Sequence, residues 1–238
     1  MNINVIFNPV YADDLYFTGK NSVVIDVLRA TSTIVTALDN GAKEVIPVAT
    51  VEFAVKVSGG MFGGLTLLCG ERNTKKLEGF ALGNSPFEFT QDVVKGKSIV
   101  LFTTNGSKAI VKAKFSSSQI LCSFINLNAV ADRIAAAGSD IEIVCSGNQN
   151  NFSIEDTVCA GRLISEVMQR REKVTLTDSA KASFTLNKSF GRSIQKMLID
   201  SEHGKLLLEN GFEKDLKYCS KINTSQSVPF FSGNVIKL

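Results

Sequence analysis

The stretch VVIDVLRATST, residues 23–33, predicts the first strand and the first helix of a buried sheet. Residues 23–28 form an apolar run of strand length, and residues 31–40 have the period of a helix that ends before Gly41, a residue type favoured just past helix ends. Asp26 interrupts the apolar run. An unpaired carboxylate buried there would cost on the order of several kcal/mol. The sequence therefore predicts that Asp26 has a cationic partner.

The alternation of strand and helix continues along the chain. It predicts strands at residues 44–48, 98–103, 119–124 and 141–145, and helices at residues 51–57, 107–114, 127–137 and 154–171. Residues 65–89 are predicted to form a strand and a long loop, and the last third two or three helices and an exposed tail near Val228 and Pro229. Such alternation is typical of a largely parallel or mixed sheet with helices on both faces. We predict one α/β domain over residues 1–238, layered α/β/α.

Residues 22–95 and 96–172 are similar βαβ-containing units. A shift of 75 positions aligns Val24 with Ile99 and Ser32 with Ser107. An internal duplication explains this similarity, and two ordinary βαβ units of similar spacing explain it equally well because few residues are identical.

Composition excludes several classes of protein. No apolar run approaches the ~20 residues of a membrane span, and the N-terminal residues lack a secretory signal, so we expect no membrane partner. The five cysteines are widely spaced and form no CxxC pair, which favours a reducing, cytoplasmic location. The net charge is only +3 and the basic residues are scattered, so we expect no nucleic-acid partner.

Polar residues gather where predicted strands end. The segments DVLRATST, TTNGSKA and CSGNQNNFSIEDT begin at residues 26, 103 and 145, and each leads into a helix. In parallel α/β sheets, ligands bind outside the carboxyl ends of the strands. Three such segments, with the GERN and LGNSP segments at residues 70–73 and 82–86, predict one polar site for an anionic ligand.

Four carboxylates near these strand ends are candidate metal ligands: Asp26, Glu71, Glu155 and Asp156. A set of carboxylates with a single histidine suits Mg²⁺ better than Zn²⁺. Two alternatives stay open at this stage. Asp26 pairs only with Arg29, or Glu155 and Asp156 serve only to complement a helix dipole.

Arginine and small polar residues provide candidate anion contacts. Arg29 and Arg72 are suited to binding oxyanions through two N–H groups. Each small polar residue is also a normal helix-capping or turn residue, and the single histidine, His203, is a candidate proton-transfer group or an ordinary surface residue. The candidate small polar residues are Thr31, Ser32, Thr33, Asn84, Ser85, Thr104, Asn105, Gly106, Ser107 and Asn148.

The ordered segments DVLRATST, GERN, GFALGNSP, TTNGSKA and FSIEDTVCAG resemble the 2-phosphosulfolactate phosphatase family of coenzyme M biosynthesis. The resemblance implies Mg²⁺-dependent hydrolysis of (2R)-phospho-3-sulfolactate to 3-sulfolactate and phosphate, and it leads us to expect a homodimer. One difference is Ala81, where members of the family carry an acidic residue before LGNSP.

On this resemblance, Asp26, Glu71, Glu155 and Asp156 are expected to hold Mg²⁺. Arg29 and Arg72 would bind anionic oxygens, and the small polar residues would orient the substrate, a small molecule with several negative charges. The catalytic set is thus Asp26, Arg29, Glu71 and Arg72, with Asp26 as metal ligand or as nucleophile. Alternative functions are hydrolysis of another small phosphorylated hydroxy acid and non-catalytic binding of an anion or nucleotide.

Overall fold

The computed structural model of the protein describes residues 1–60 and 65–238, which form one mixed sheet with helices packed against it. The strands in these residues are β1 (Asn2–Ile6), β2 (Asn21–Ile25), β3 (Glu44–Val48), β4 (Thr66–Arg72), β5 (Lys75–Lys76), β6 (Ser98–Phe102), β7 (Ser118–Cys122), β8 (Ile141–Cys145), β9 (Thr175–Leu176), β10 (Phe230–Ser232) and β11 (Val235–Lys237).

The helices in the same residues differ widely in length. They are α1 (Ala30–Asp39), α2 (Val51–Gly60), α3 (Gln91–Val94), α4 (Gly106–Lys112), α5 (Leu127–Ala137), α6 (Ile154–Arg170), α7 (Asp178–Phe190), α8 (Ile194–Asp200), α9 (Glu202–Glu209) and α10 (Glu213–Cys219). None of them is both long enough and apolar enough to cross a membrane.

The sheet consists of two parallel blocks joined by an antiparallel hairpin. Its strand order is β5-β4-β6-β3-β11-β10-β7-β2-β8-β1-β9. Strands β4, β6 and β3 are parallel to one another, and so are β7, β2, β8, β1 and β9. The hairpin β10–β11 lies between the blocks and pairs antiparallel with β7 and with β3. The prediction of an α/β fold with a largely parallel or mixed sheet is confirmed.

Alternate side chains of the strands face two helical layers. Val23 and Ile25 of β2 pack in the core that contains residues of α5 and α6, whereas Val24 packs with residues of α1 and α4. In the other block, Val45 of β3 lies in the α1 and α4 core, and Ile46 packs toward Ala54 of α2. Helices therefore cover both faces of the sheet, as expected for strands without a polar face.

The C-terminal segment corrects one sequence-based prediction. The region predicted as an exposed tail leads instead into the hairpin at the centre of the sheet, where Pro229 is buried and Ile236 is fully buried. Gly233 and Asn234 both have positive φ, as a two-residue type I′ turn requires. Strands of three residues give too short a pattern to distinguish from a tail.

The two similar units are interleaved in the sheet. Strand β2 of residues 22–95 lies between β7 and β8 of residues 96–172, and β6 of the second unit lies between β3 and β4 of the first. The strand orders β4-β6-β3 and β8-β2-β7 thus correspond under the 75-residue shift. An origin by duplication stays a prediction.

Candidate active site

The ends of β2, β4, β6 and β8 meet around a small cavity. The backbone N–H of Thr104, after β6, donates to Glu71 of β4 at 2.7 Å. Gly106, at the start of α4, lies directly against the carboxylate of Asp26, which follows β2. Behind the carboxylate, the N–H of Val27 donates to Asp156 at 2.8 Å, and Ser146, after β8, donates to the same side chain at 2.9 Å. The sheet thus brings four distant parts of the sequence together.

This central cavity has a volume of about 220 Å³, part of which is open to solvent. Its lining residues belong to strand ends and to the loops that follow them, with one contribution from α9. They are Asp26, Leu28, Arg29, Glu71, Thr74, Asn84, Thr103, Asn105 and His203.

Asp26 is held by the loop between β2 and α1. The N–H of Ala30 donates to Asp26 Oδ1 at 3.2 Å, and Thr31 Oγ1 donates to the Asp26 carbonyl at 2.7 Å. The side chain is only 4% exposed. Burial raises the pKa of Asp26 to about 7, the Ala30 N–H opposes that shift, and the negative charge of Glu71 adds to it.

The structure provides no cation for Asp26. In residues 1–60 and 65–238, its carboxylate has no ion-pair partner. Arg29, the partner considered in the sequence analysis, instead pairs with Asp215 of α10 at 2.5 Å. The simple Asp26–Arg29 pair is therefore excluded, and in the described residues the buried carboxylate faces the cavity without an ion-pair partner.

Arg29 is fixed by contacts on three sides. Its Nη1 donates to Asp215, its Nη2 donates to the Thr74 carbonyl at 2.8 Å, and its guanidinium lies 4.2 Å from the centre of the Phe212 ring. The side chain is almost fully buried. A guanidinium has five N–H donors, so these two hydrogen bonds leave donors for a ligand in the central cavity.

The other predicted metal ligands separate into two positions. Glu71 lines the central cavity beside Asp26, and it also accepts hydrogen bonds from the N–H groups of Thr74 and Thr104. Asp156 lies behind the cavity wall, where burial and the charges of Asp26 and Glu155 raise its pKa well above the usual range. Glu155 lines a neighbouring cavity. In the described part of the chain, no three His, Cys, Asp or Glu side chains are arranged to hold a metal ion.

His203, at the start of α9, lies in the site. Its ring lines the central cavity, and Nδ1 is 3.8 Å from Glu155 Oε1. Burial lowers the pKa of His203 to about 4; the charge of Glu71 opposes this shift, and Arg29 adds to it. The imidazole is therefore neutral at pH 7, and it is not an ordinary surface residue.

Two buried oxygen atoms of the central cavity lack hydrogen-bond partners. They are Thr74 Oγ1 and Asn84 Oδ1. A buried polar atom without a partner usually costs about 1–3 kcal/mol. Both atoms are oxygens that can accept a hydrogen bond or contact a hard cation, so they favour a polar ligand in this cavity.

Most of the predicted small polar residues form hydrogen bonds that hold the loops of the site in place and do not line the central cavity. Thr31 closes the Asp26 loop, Ser32 donates to the Val27 carbonyl and Thr33 to the Asn84 carbonyl. Ser85 donates to Asp215, and Ser107 exchanges hydrogen bonds with Thr103. These residues position ligand-facing groups.

Arg72 and Asn148 lie away from the central cavity. Because strand residues alternate in direction, Glu71 points inward and Arg72 is exposed opposite Lys75 of β5. Asn148 lines the neighbouring cavity that also contains Glu155.

Two larger cavities adjoin the central one. The lysine cavity, of about 450 Å³, shares Asn105 with it and also includes Asn8, Thr104, Lys108, Lys112 and Asn150. The acidic cavity, of about 1020 Å³, shares His203 with it and also includes Glu155, Asp200 and Glu202. The central cavity therefore has a basic neighbour on one side and an acidic neighbour on the other.

Comparison with known families identifies the relatives of this chain. A sequence model of the family described as 2-phosphosulpholactate phosphatase matches residues 12–234. The chain belongs to this family. The resemblance noted in the sequence is confirmed, and the family's name describes a phosphoric monoester hydrolase, the enzyme class predicted above.

Curated relatives match the chain over nearly its full length. A protein of Clostridium acetobutylicum is 40% identical over 236 residues, which cover 99% of this chain and 100% of that one. Proteins of Clostridium perfringens and Thermotoga petrophila are 41% and 42% identical, covering 100% and 92% of this chain and 96% and 92% of their own. All three are named as probable 2-phosphosulfolactate phosphatases.

The residues that hold Arg29 and complete the cavity were not predicted from the sequence. Asp215 and Phe212 contact Arg29 from the start of α10, and Thr74 contacts it from the turn after β4. Asp215 has the sequence signature of an acidic residue in the first turn of a helix. Only the packing of α10 against residues 86–88 and its contact with Arg29 distinguish it from a capping residue.

Proposed function

We propose that this protein is a Mg²⁺-dependent phosphatase that hydrolyses (2R)-phospho-3-sulfolactate to 3-sulfolactate and phosphate. The observation that carries the proposal is the buried Asp26 carboxylate, which faces the central cavity without a cationic partner. Glu71 and Arg29 line the same cavity. A phosphoryl group and its cation would satisfy both the carboxylates and the guanidinium.

The donor set of the cavity fits Mg²⁺. Asp26 and Glu71 are carboxylates, and the unpartnered atoms Asn84 Oδ1 and Thr74 Oγ1 add neutral oxygens. Mg²⁺ commonly binds through one or two carboxylates plus water and substrate phosphate, without a protein cage of three or more side chains. Asp26 and Glu71 would hold the ion, which would supply charge neutralisation at the phosphoryl oxygens and a more acidic water. Asp156 and Glu155 would act on it through their charge.

The remaining residues of the cavity have separate roles. Arg29, with N–H donors left after its bonds to Asp215 and Thr74, would bind a phosphoryl oxygen. The neutral ring of His203 lines the same cavity and would accept a proton from water or hold one for the leaving oxygen. Thr31 and Gly106 would keep the Asp26 carboxylate in place against the start of α4.

Phosphate release tests this proposal directly. The purified protein would be given phosphosulfolactate, and a panel of other phosphorylated hydroxy acids, with Mg²⁺ and with a chelator. We expect release from phosphosulfolactate that the chelator abolishes. Release from a different member of the panel would identify that compound as the substrate. Release that the chelator leaves intact would contradict the role of the ion. Ligand-induced stabilisation without any hydrolysis would favour a binding protein.

The same proposal includes a homodimer in the cytoplasm acting in coenzyme M biosynthesis. Support comes from the family membership and from five free cysteines, all of them buried. Sedimentation equilibrium of the purified protein tests the dimer, and a molecular mass of about 26 kDa in solution, that of the single 25.7 kDa chain, would contradict it.

A further inference from the structure

We propose that the lysine cavity binds the second anionic group of the substrate, and that Lys108 of α4 determines specificity for it. This inference rests on the proposed function and adds where the non-reacting part of the substrate lies. The group is the sulfonate, attached to the same short carbon chain as the phosphate and the carboxylate.

The size of the central cavity requires a second binding region. Its 220 Å³ are lined closely by Asp26, Arg29, Glu71 and His203. Because part of that volume is open to solvent, it has room for at most the reacting phosphoryl end of the substrate. A three-carbon chain with two further acidic groups must extend into one of the two adjoining cavities.

Charge decides between the two adjoining cavities. The acidic cavity contains Glu155, Asp200 and Glu202, which would repel a sulfonate or a carboxylate. The lysine cavity contains Lys108 and no carboxylate residue among its lining residues within the described part of the chain. An anionic tail would therefore extend past Asn105, the residue that the central and lysine cavities share.

Lys108 is suited to this role by its position and its freedom. Lys108 is exposed and lies two residues after Gly106, the glycine that lies against Asp26. No ion pair joins it to a carboxylate in residues 1–60 and 65–238. Asn8 and Asn150 line the same cavity; Asn8 Nδ2 donates to the Asn151 carbonyl at 3.1 Å, and the Asn150 amide can donate to an anion. The cavity thus combines one available ammonium group with neutral donors.

Two substrates separate this role from catalysis. (2R)-Phospho-3-sulfolactate would be compared with (2R)-2-phospholactate, which keeps the phosphate and carboxylate but lacks the sulfonate. We expect Lys108→Ala to reduce the ratio of their kcat/KM values about tenfold, because a binding site for a charged group loses discrimination when its partner is removed. Lys108→Glu should reduce the ratio further, and Lys108→Arg should restore most of it.

Lys114 provides the matched control. It follows α4, is exposed over the Phe115 ring and lines none of the three cavities, so Lys114→Ala makes the same change in net charge. It should leave both kcat/KM values unchanged. A ratio that Lys108→Ala and Lys108→Glu leave unaltered would overturn this inference alone. Failure of the unmodified protein to release phosphate from either compound would overturn the proposed function.

Discussion

Asp26 is buried, and no cationic side chain in the described part of the protein forms an ion pair with it. The backbone N–H of Ala30 donates to its carboxylate at 3.2 Å, and Glu71 adds a second negative charge across the cavity. Such a carboxylate lowers the stability of the protein without a ligand, and it strengthens the binding of a cation. At the scale of the single residue, stability and function therefore make opposite demands.

Asp26→Asn separates these two demands. Without its ionisable group the protein should lose phosphatase activity by about a thousandfold or more, since a cation ligand is removed. Its free energy of unfolding at pH 8 without added Mg²⁺ should be at least that of the unmodified protein. Phosphate release and urea denaturation test the two parts. A fully active variant would exclude Asp26 from the site.

The pH dependence of stability follows from the same carboxyl group. Its pKa is raised from 3.8 to about 7, so between these values the folded protein keeps a proton that the unfolded chain has lost. The contribution of Asp26 to stability is thus present at low pH and is lost as the pH rises toward 7. Measured without metal, the advantage of Asp26→Asn over the unmodified protein should grow by roughly 2–4 kcal/mol from pH 4 to pH 7. The shift of the His203 pKa arises from burial, Glu71 and Arg29, so it cancels in this difference. The charge of Asp26 also raises the pKa of Asp156, and its loss adds to the difference in the same direction. A constant difference across that range would contradict the raised pKa.

At the scale of single elements, the start of α4 is positioned by close contact with the Asp26 loop. A Cβ atom on Gly106 would meet the Asp26 carboxylate and would lie 2.5 Å from Ala30 Cβ. Only glycine permits this approach. The contact brings the first turns of α1 and α4 together at the cavity.

Gly106→Ala should therefore separate α4 from the Asp26 loop. We expect a loss of about 1–3 kcal/mol in the free energy of unfolding and a larger relative loss of phosphatase activity. Chemical denaturation and phosphate release measure the two. Gly59→Ala in α2 is the control, since its added methyl group has open space and should be neutral or slightly stabilising. Equal behaviour of the two variants would show that the contact with Asp26 is unimportant.

Helix α10 is the element that holds Arg29. Asp215 in its first turn accepts from Arg29 and from Ser85, and all three side chains are buried. Removing one partner of a buried ion pair leaves the other charge without compensation, and this commonly costs about 3–5 kcal/mol. Arg29 would also lose the group that fixes its orientation in the cavity.

Asp215→Asn should destabilise the protein by about 2–4 kcal/mol and raise KM for the phosphorylated substrate. Denaturation curves and steady-state kinetics test these effects. Glu213→Gln, an exposed change two residues earlier in α10, should alter neither quantity. If Asp215→Asn changed stability alone, with KM intact, Arg29 would be a structural residue.

On the scale of the whole molecule, the sheet depends on the hairpin β10–β11. Ile236 of β11 is fully buried between the two parallel blocks, in the core that includes Val45 and Leu121. The hairpin supplies the antiparallel pairing that joins β3 to β7. We therefore expect this short hairpin to contribute substantially to the free energy of unfolding.

Ile236→Ala should reduce the free energy of unfolding by about 2–4 kcal/mol, the usual cost of a cavity in a core. Thermal or urea denaturation provides the measurement. Ile222→Ala makes the same chemical change at a position that is 38% exposed, and it should cost less than about 1 kcal/mol. Similar losses for the two variants would mean that the hairpin adds little to the sheet.

The sequence was sufficient to predict the layered α/β architecture but not how its distant parts assemble. Helix α5 and strands β3 and β8 occur at the predicted residues because their apolar period is clear. Strand β1 and the hairpin were missed, since short strands carry little pattern of their own.

The site was predictable where a polar residue interrupts a strand end. Asp26, Arg29, Glu71, Asn84 and Asn105 do line the central cavity. His203, which lines the cavity, and Asp215, which holds Arg29, could not be placed from sequence, because they belong to helices more than 90 residues away along the chain. Their positions depend on tertiary packing, which no local sequence pattern reveals.

The central position of β10–β11 also orders the events of biosynthesis. A ribosome makes both parallel blocks before it makes the hairpin that joins them, because the hairpin follows every other strand in the sequence. Until then, β3 and β7 expose unpaired edges, which are prone to association with other chains. During synthesis there is therefore a stage at which both parallel blocks have been made but the hairpin has not yet joined them. A chaperone that covers sheet edges would protect the nascent chain most at that stage.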